Sequence, residues 1–188
     1  MKPRNLKETV LLAAFVVVSL GLATGAFAQI DAAKIRVDGL GCPFCVKGVE
    51  KHLKKVEGVD SLSTSLKKGE VTLQYAPGAL FDIESLQRAV KRGGFTPGAV
   101  HLTARGKIAR QKDDFVFNII GIKTAFLLHQ TDSVDGQEKI AAVTGETKTK
   151  LQAAIAANQT LEITGKVHPH KDALPGLSLD TLKKVGGE

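Results

Sequence analysis

Gly39-Leu40-Gly41-Cys42-Pro43-Phe44-Cys45 carries both cysteines of the 188-residue chain, separated by two residues. Immediately before it, Lys34-Ile35-Arg36-Val37-Asp38 alternates polar and apolar residues, as a half-buried strand does. After it the period changes. Val46, Val49, Leu53 and Val56 recur at helical spacing, with Lys47, Glu50, Lys51, Lys54 and Lys55 on the polar side. The dithiol therefore stands where a strand hands over to a helix, in a loop that Gly39 and Gly41 free to take unusual backbone angles. Gly58 is positioned to end that helix.

The pattern continues in short elements. Leu62, Thr64 and Leu66 alternate as a second strand, Lys67-Lys68-Gly69-Glu70 turns, and Val71, Leu73 and Tyr75 form a third. Pro77-Gly78 interrupts. Asp82 then reads as the N-cap of a second helix that turns Ile83, Leu86 and Val90 inward. Gly93-Gly94 stops it, and Val100 and Leu102 begin a fourth strand. The order is βαββαβ, an antiparallel sheet with two helices on one face.

Two thiols at this spacing have a definite chemistry. The thiolate is the form that binds metal, and free Cys is mostly protonated at neutral pH. Flanking the first turn of a helix, both sulfurs face unpaired backbone N–H groups and the positive end of the helix dipole, which favour the thiolates. Two thiolates in linear coordination suit soft Cu(I) and Hg(II), whereas hard ions prefer oxygen. Zn(II) normally takes four ligands, and no second Cys pair exists to complete them. A Cys-x-x-Cys pair also marks thiol–disulfide oxidoreductases, and Cys-Pro-x-Cys suits a periplasmic oxidant, so a redox enzyme using Cys42 and Cys45 is the alternative. Only one strand fits into residues 29–41 ahead of Cys42, and ββαβ follows the helix, both of which favour metal. Thr96-Pro97 could stand in for the proline loop of a redox fold, which leaves the redox reading open. A plain structural disulfide is the third possibility.

Order, lengths and motif together resemble the heavy-metal-associated domain of copper chaperones, copper-pump amino-terminal modules and periplasmic mercury-binding proteins. Residues 39–45 are similar to its Gly-Met-x-Cys-x-x-Cys, and Val56-Glu57-Gly58-Val59 to the segment after its first helix. The resemblance spans about residues 31–103. It implies a ferredoxin-like fold, with Cys42 and Cys45 as the metal ligands. It departs at Leu40, where the family usually carries a buried Met, so metal preference is left between Cu(I) and Hg(II). Phe95 follows Gly94 where the family places Lys, Tyr or Phe near the metal loop, and Phe there resembles the pump modules.

Residues 1–28 read as a secretory signal: Lys2, Arg4 and Lys7, an apolar run over 10–22, and Ala26-Phe27-Ala28 as a small-x-small exit. The expectation is a periplasmic protein cut before Gln29, the alternative an uncleaved anchor in the inner membrane. Beyond residue 28 the chain holds 23 basic and 18 acidic residues. The excess is dispersed and not interleaved with aromatics, which argues against nucleic acid as a partner.

Residues 105–114 are polar and basic and are taken as the boundary, dividing the mature chain into 29–104 and 105–188, with the start of a strand in this stretch as the alternative. Phe115, Phe117 and Ile119 then alternate as a strand, residues 124–129 form another apolar run, and 132–136 read as a loop. Leu151, Ala154 and Ile155 give helical spacing over 146–158, and 161–168 return to strand alternation. Strands interrupted by one helix fit a small barrel of oligonucleotide/oligosaccharide-binding (OB) type. The expected fold class is α+β: a ferredoxin-like βαββαβ domain followed by a mainly β, OB-like small barrel. His52 and His101 read as solvated surface residues, and Lys47 as an exposed lysine near the dithiol. His168-Pro169-His170 is a candidate second metal cluster, with Pro175-Gly176 a turn. No catalytic triad, phosphate loop or carboxylate pair stands out, so no enzymatic function or organic cofactor is expected. The expected partners are the metal ion and a cysteine-bearing donor or acceptor protein, such as a membrane transporter.

Overall fold

The computed structural model describes residues 30–134, 137–170 and 173–185; the secretory signal expected over residues 1–28 lies outside them. Strands and helices run in the order β1 (Ile30–Asp38), α1 (Pro43–Leu53), β2 (Val59–Ser65), β3 (Glu70–Tyr75), α2 (Ile83–Arg92) and β4 (Thr96–Gln111). Then follow β5 (Asp114–Ile119), β6 (Ala125–Val134), β7 (Gln137–Ala141), α3 (Gly145–Ala156), β8 (Thr160–His168) and β9 (Gly176–Lys184).

The first four strands lie in the order β2-β3-β1-β4, every pair antiparallel. Period-two alternation sends Ile35 and Val37, Val71, Leu73 and Tyr75, and Val100 and Leu102 into the core. Val49 and Leu53 of α1 and Leu86, Ala89 and Val90 of α2 are buried in the same cluster. This is the ferredoxin-like sheet expected from the sequence. Asp82 caps α2 as expected, accepting from Glu84 N (2.9 Å) and Ser85 N (3.2 Å).

Burial works against the Asp82 carboxylate, but hydrogen bonds from Ser85 and Glu84 and the nearby Arg88 outweigh it and hold its carboxyl below the usual range. Such a group stabilises the fold above its unfolded pKa, near 3.9, and that contribution fades as pH falls through the lower folded value. Asp82→Ala is expected to cost about 1 kcal/mol at pH 7. Asp82→Asn, which keeps an acceptor, should cost less while flattening the acid limb of stability below about pH 4. Urea midpoints against pH test both; an unchanged acid limb in Asp82→Asn would remove the carboxylate from the account.

Helix α1 ends earlier than its apolar spacing suggests. Lys54 is the C-cap, and Lys55 N to His52 O (3.2 Å) and Val56 N to Leu53 O (3.1 Å) tighten the exit into a 3₁₀-like turn. Val56 still packs on the core from that turn. Gly58 thus lies beyond the helix, at φ +84, where an added Cβ would come within 2.6 Å of the Ala79 Cβ.

Strand β4 does more than close the first sheet. Along one edge, residues 96–104 pair with β1 and 106–111 with β5, while residues 100–107 pair with β8 along the other edge. Residue 105, taken as the boundary from its polarity, therefore lies inside a continuous strand. Its neighbourhood reads as polar because Lys107 and Arg110 point outward while Ala104 and Ile108 point in. Arg105 joins three strands, its Nε lying 3.3 Å from Asp31 Oδ2 on β1 and 3.4 Å from Glu162 Oε2 on β8. Gly106 is required where β4 passes from β1 to β5: a Cβ there would strike the Asn118 carbonyl and lie 2.7 Å from the Phe117 ring.

β4-β5-β6-β9-β8 closes on itself through the β4–β8 pairing, giving a five-stranded barrel in which only β6–β9 is parallel. Phe117, Phe126, Leu161, Ile163 and Leu177 are fully buried in it. α3 precedes β8 and buries Leu151 and Ala154. Two expectations change here. Residues 132–134 extend β6 into a hairpin with β7, leaving only 135–136, outside the described residues, from the expected loop. Gly176 begins β9, a strand whose mixed Leu-Ser-Leu-Asp-Thr-Leu pattern hides beneath its Pro-Gly turn signal.

The halves are also tied through the segment after β3. Gly78 N donates to Gly121 O (2.6 Å), Lys123 N to Ala79 O (3.0 Å) and Phe81 N to Thr124 Oγ1 (2.8 Å). Tyr75, Phe81 and Phe126 stack in series, with centroids 5.4 and 5.6 Å apart. The buried side chains from Ile35 to Leu177 accordingly form one contiguous cluster.

Candidate metal centre

The loop between β1 and α1 is built from backbone chemistry. Gly39 adopts φ +86 and its carbonyl accepts from Gly41 N (2.9 Å), reversing the chain at the end of β1. Cys42 is the N-cap of α1 in extended conformation, and Pro43 stands in the first turn, where a missing N–H costs nothing. The Cys42 sulfur takes the part of a capping oxygen: Cys45 N donates to Cys42 Sγ at 3.1 Å. The two sulfurs are joined in a disulfide, with Cα atoms 5.1 Å apart.

Cys42 and Cys45 are half-buried, and the first turn of α1 contains no acidic residue that would offset the helix dipole there. Leu40 is buried beneath the loop at 6% exposure, a packing position in keeping with replacement of a Met. Phe95 approaches from the other side, its ring 3.8 Å from where a Gly39 Cβ would stand. Phe44, between the cysteines, is 84% exposed. Lys47 is exposed on α1, one turn further on.

The histidines separate into different surroundings. His52 lies ten residues along the helix from Cys42, about 15 Å at the helical rise, and lines a cleft with Arg88 and Arg92. His101 faces away from the sheet core, 3.3 Å from Asp180. Neither reaches the dithiol, and among the described residues no cluster of three or more His, Cys, Asp or Glu is arranged to hold a metal. His168 and His170 also part company: His168 Nε2 meets Ser178 Oγ at 2.9 Å, whereas the His170 ring approaches His129, with centroids 5.5 Å apart. The sequence reading passed over His129. Its position at the end of an apolar run was the available signal, but β6 and β9 had to pair in parallel before His129 met Gly176 and the end of β8.

Residues 34–96 match the family described as "Heavy-metal-associated domain". Copper-transporting ATPase 2 of Homo sapiens is 30% identical over 56 residues, covering 30% of this chain and 4% of that protein. Its counterpart in Rattus norvegicus is 28% identical over 81 residues, covering 43% and 5%. That of Mus musculus is 32% identical over 77 residues, covering 41% and 5%. The chain thus spans only a small part of the length of these relatives. A solved structure described as "Crosstalk between Cu(I) and Zn(II) homeostasis" aligns at 22% identity and TM-score 0.32, over 36% of this chain and 96% of its own. The amino-terminal domain of PacS from Synechocystis PCC6803 aligns with the same identity and TM-score, over 36% of this chain and 94% of its own.

Proposed function

We propose that this protein is an exported carrier that captures Cu(I) through Cys42 and Cys45 and passes it on by thiolate exchange. The observation that carries this reading is the placement of both sulfurs at the acid-free N-terminus of α1, on a heavy-metal-associated scaffold. A dithiol reductant, itself oxidised to a disulfide, supplies the two electrons and two protons that open Cys42–Cys45 to two thiols, and backbone N–H groups and the helix dipole favour their ionised form. One Cu(I) then replaces the two thiol protons. The sulfurs, bonded to each other in the disulfide, must swing apart to bracket it, and the Gly39-Leu40-Gly41 loop supplies that freedom.

Transfer follows from the low coordination number. A cysteine thiolate of an acceptor adds to the bound ion as a third ligand, then Cys42 or Cys45 leaves, and a second exchange completes the handover. The exposed Phe44 and Lys47 flank the loop where such an acceptor would approach. The names of the copper-transporting relatives favour Cu(I) over Hg(II), the other ion suited to two thiolates, and a cysteine-bearing transporter is the natural acceptor class. The basic start, apolar run and Ala26-Phe27-Ala28 of residues 1–28 support a periplasmic setting for this exchange. For the second half, the closed strand order β4-β5-β6-β9-β8 with α3 before its fourth strand supports an OB-like barrel, here bracing the outer edge of β4.

Anaerobic titration with Cu(I) against a chromophoric chelator tests the reading. The reduced chain is expected to take one equivalent tightly and the disulfide form none, because a disulfide has no thiolate to offer. Equal binding by the two forms would overturn it. Robust insulin reduction by the purified protein would favour the thiol–disulfide enzyme instead.

A further inference from the structure

We propose that His129 and His170 form a second, independent metal site that takes a borderline divalent cation, copper(II) or zinc(II), at the end of the barrel. Three observations converge on the same small space. The Nε2 atom of His129 is buried and has no hydrogen-bond partner among the described residues, an expensive state for a ring nitrogen unless a ligand meets it. The His170 ring stands beside it, centroids 5.5 Å apart and tilted by 60°. With metal–nitrogen bonds of about 2 Å, two imidazoles sharing one ion hold their centroids roughly 5–6 Å apart.

The third observation is Gly176. A Cβ at that position would sit 3.2 Å from His129 Nε2 and 3.2 Å from His170 Cε1, the carbon between the two ring nitrogens. The missing side chain lets both rings pack closely on the same backbone position at the start of β9, where any larger residue would crowd them. Imidazole donors suit copper and zinc, and calcium and magnesium are poorly served by them. Burial and the neighbouring His170 disfavour the charged form of His129, which keeps its ring in the neutral state a metal needs, and Asp114 supplies negative charge nearby. No third protein ligand completes the set among the described residues, so water fills the remaining positions and the ion exchanges readily. His168 is held apart on Ser178 and takes no part. The site uses no thiolate and stands or falls separately from the copper chemistry of Cys42 and Cys45.

The experiment uses the full disulfide-bonded chain, in which no thiolate competes, with copper(II) as the probe. Titration should show one bound equivalent whose electron paramagnetic resonance carries nitrogen hyperfine structure from two imidazoles. His129→Gln and His170→Gln should each weaken binding at least tenfold, and His168→Gln should leave it unchanged. As a check that needs no substitution, zinc(II) should shift the ring resonances of His129 and His170 and spare those of His52 and His101. Absence of binding, wild-type affinity in His129→Gln or His170→Gln, or an equal loss in His168→Gln would overturn the proposal.

Discussion

Replacing Cys42 and Cys45 with Ser is expected to abolish tight Cu(I) binding while leaving the fold in place. Each sulfur is half of a two-coordinate site, so a hydroxyl in place of either one removes half of the soft donors. Losing about 4 kcal/mol of binding is about a thousandfold in affinity, and each single substitution should reach at least that. The structural side is the more discriminating half. Cys42 caps α1 by accepting from Cys45 N, and Ser is among the favoured residues at that position. Under reducing conditions, where neither form has the disulfide, Cys42→Ser should leave stability within about 0.5 kcal/mol. Chelator competition gives the affinity and urea denaturation the stability. Retained Cu(I) affinity would sink the dithiol site, and a collapse of stability alongside lost affinity would make the cysteines structural.

Phe117→Ala is expected to have the largest effect on stability. Phe117 is fully buried in the barrel, and its ring borders Gly106 at the point where β4 passes from the first sheet into the barrel. Truncating a buried Phe costs about 3–5 kcal/mol, a large part of the 5–15 kcal/mol typical of a whole domain. The melting temperature should fall by roughly 10 °C. Tyr75 is the only Tyr and there is no Trp, so its fluorescence reports on β3 in the first sheet, far along the chain from residue 117. Because β4 belongs to both sheets and the Tyr75–Phe81–Phe126 stack joins them, the fluorescence transition should move down with the circular dichroism. A Tyr75 transition that stays at its wild-type midpoint would show that the halves unfold independently.

Both expectations rest on features of differing legibility. The strand–loop–helix around Cys42 and Cys45 could be read locally, since capping, glycine turns and the change of period from two to 3.6 are properties of neighbouring residues. The same holds for Asp82 at the start of α2. Local signals misled where a non-local partner decided the outcome. Residues 105–114 look like a linker because half of a barrel strand faces water. Gly176 looks like a turn, yet pairing with both β6 and β8 makes it the first residue of β9. Gly58 looks like a helix cap, whereas close approach of Ala79 is what requires a glycine there.

From the sequence alone came the βαββαβ order, the dithiol at a helix start and the soft-metal chemistry that follows, because each depends on residues within a few turns of one another. Tertiary structure decided that β4 is shared between the two sheets, that the barrel closes through β8, and that His170 meets His129 and not His168. Those outcomes depend on strands that pair far along the chain, as Leu127 does with Gly176 and Ala104 with Ile163. Hydrophobic burial and backbone hydrogen bonding over the whole chain select such pairings, and no short stretch of sequence encodes them.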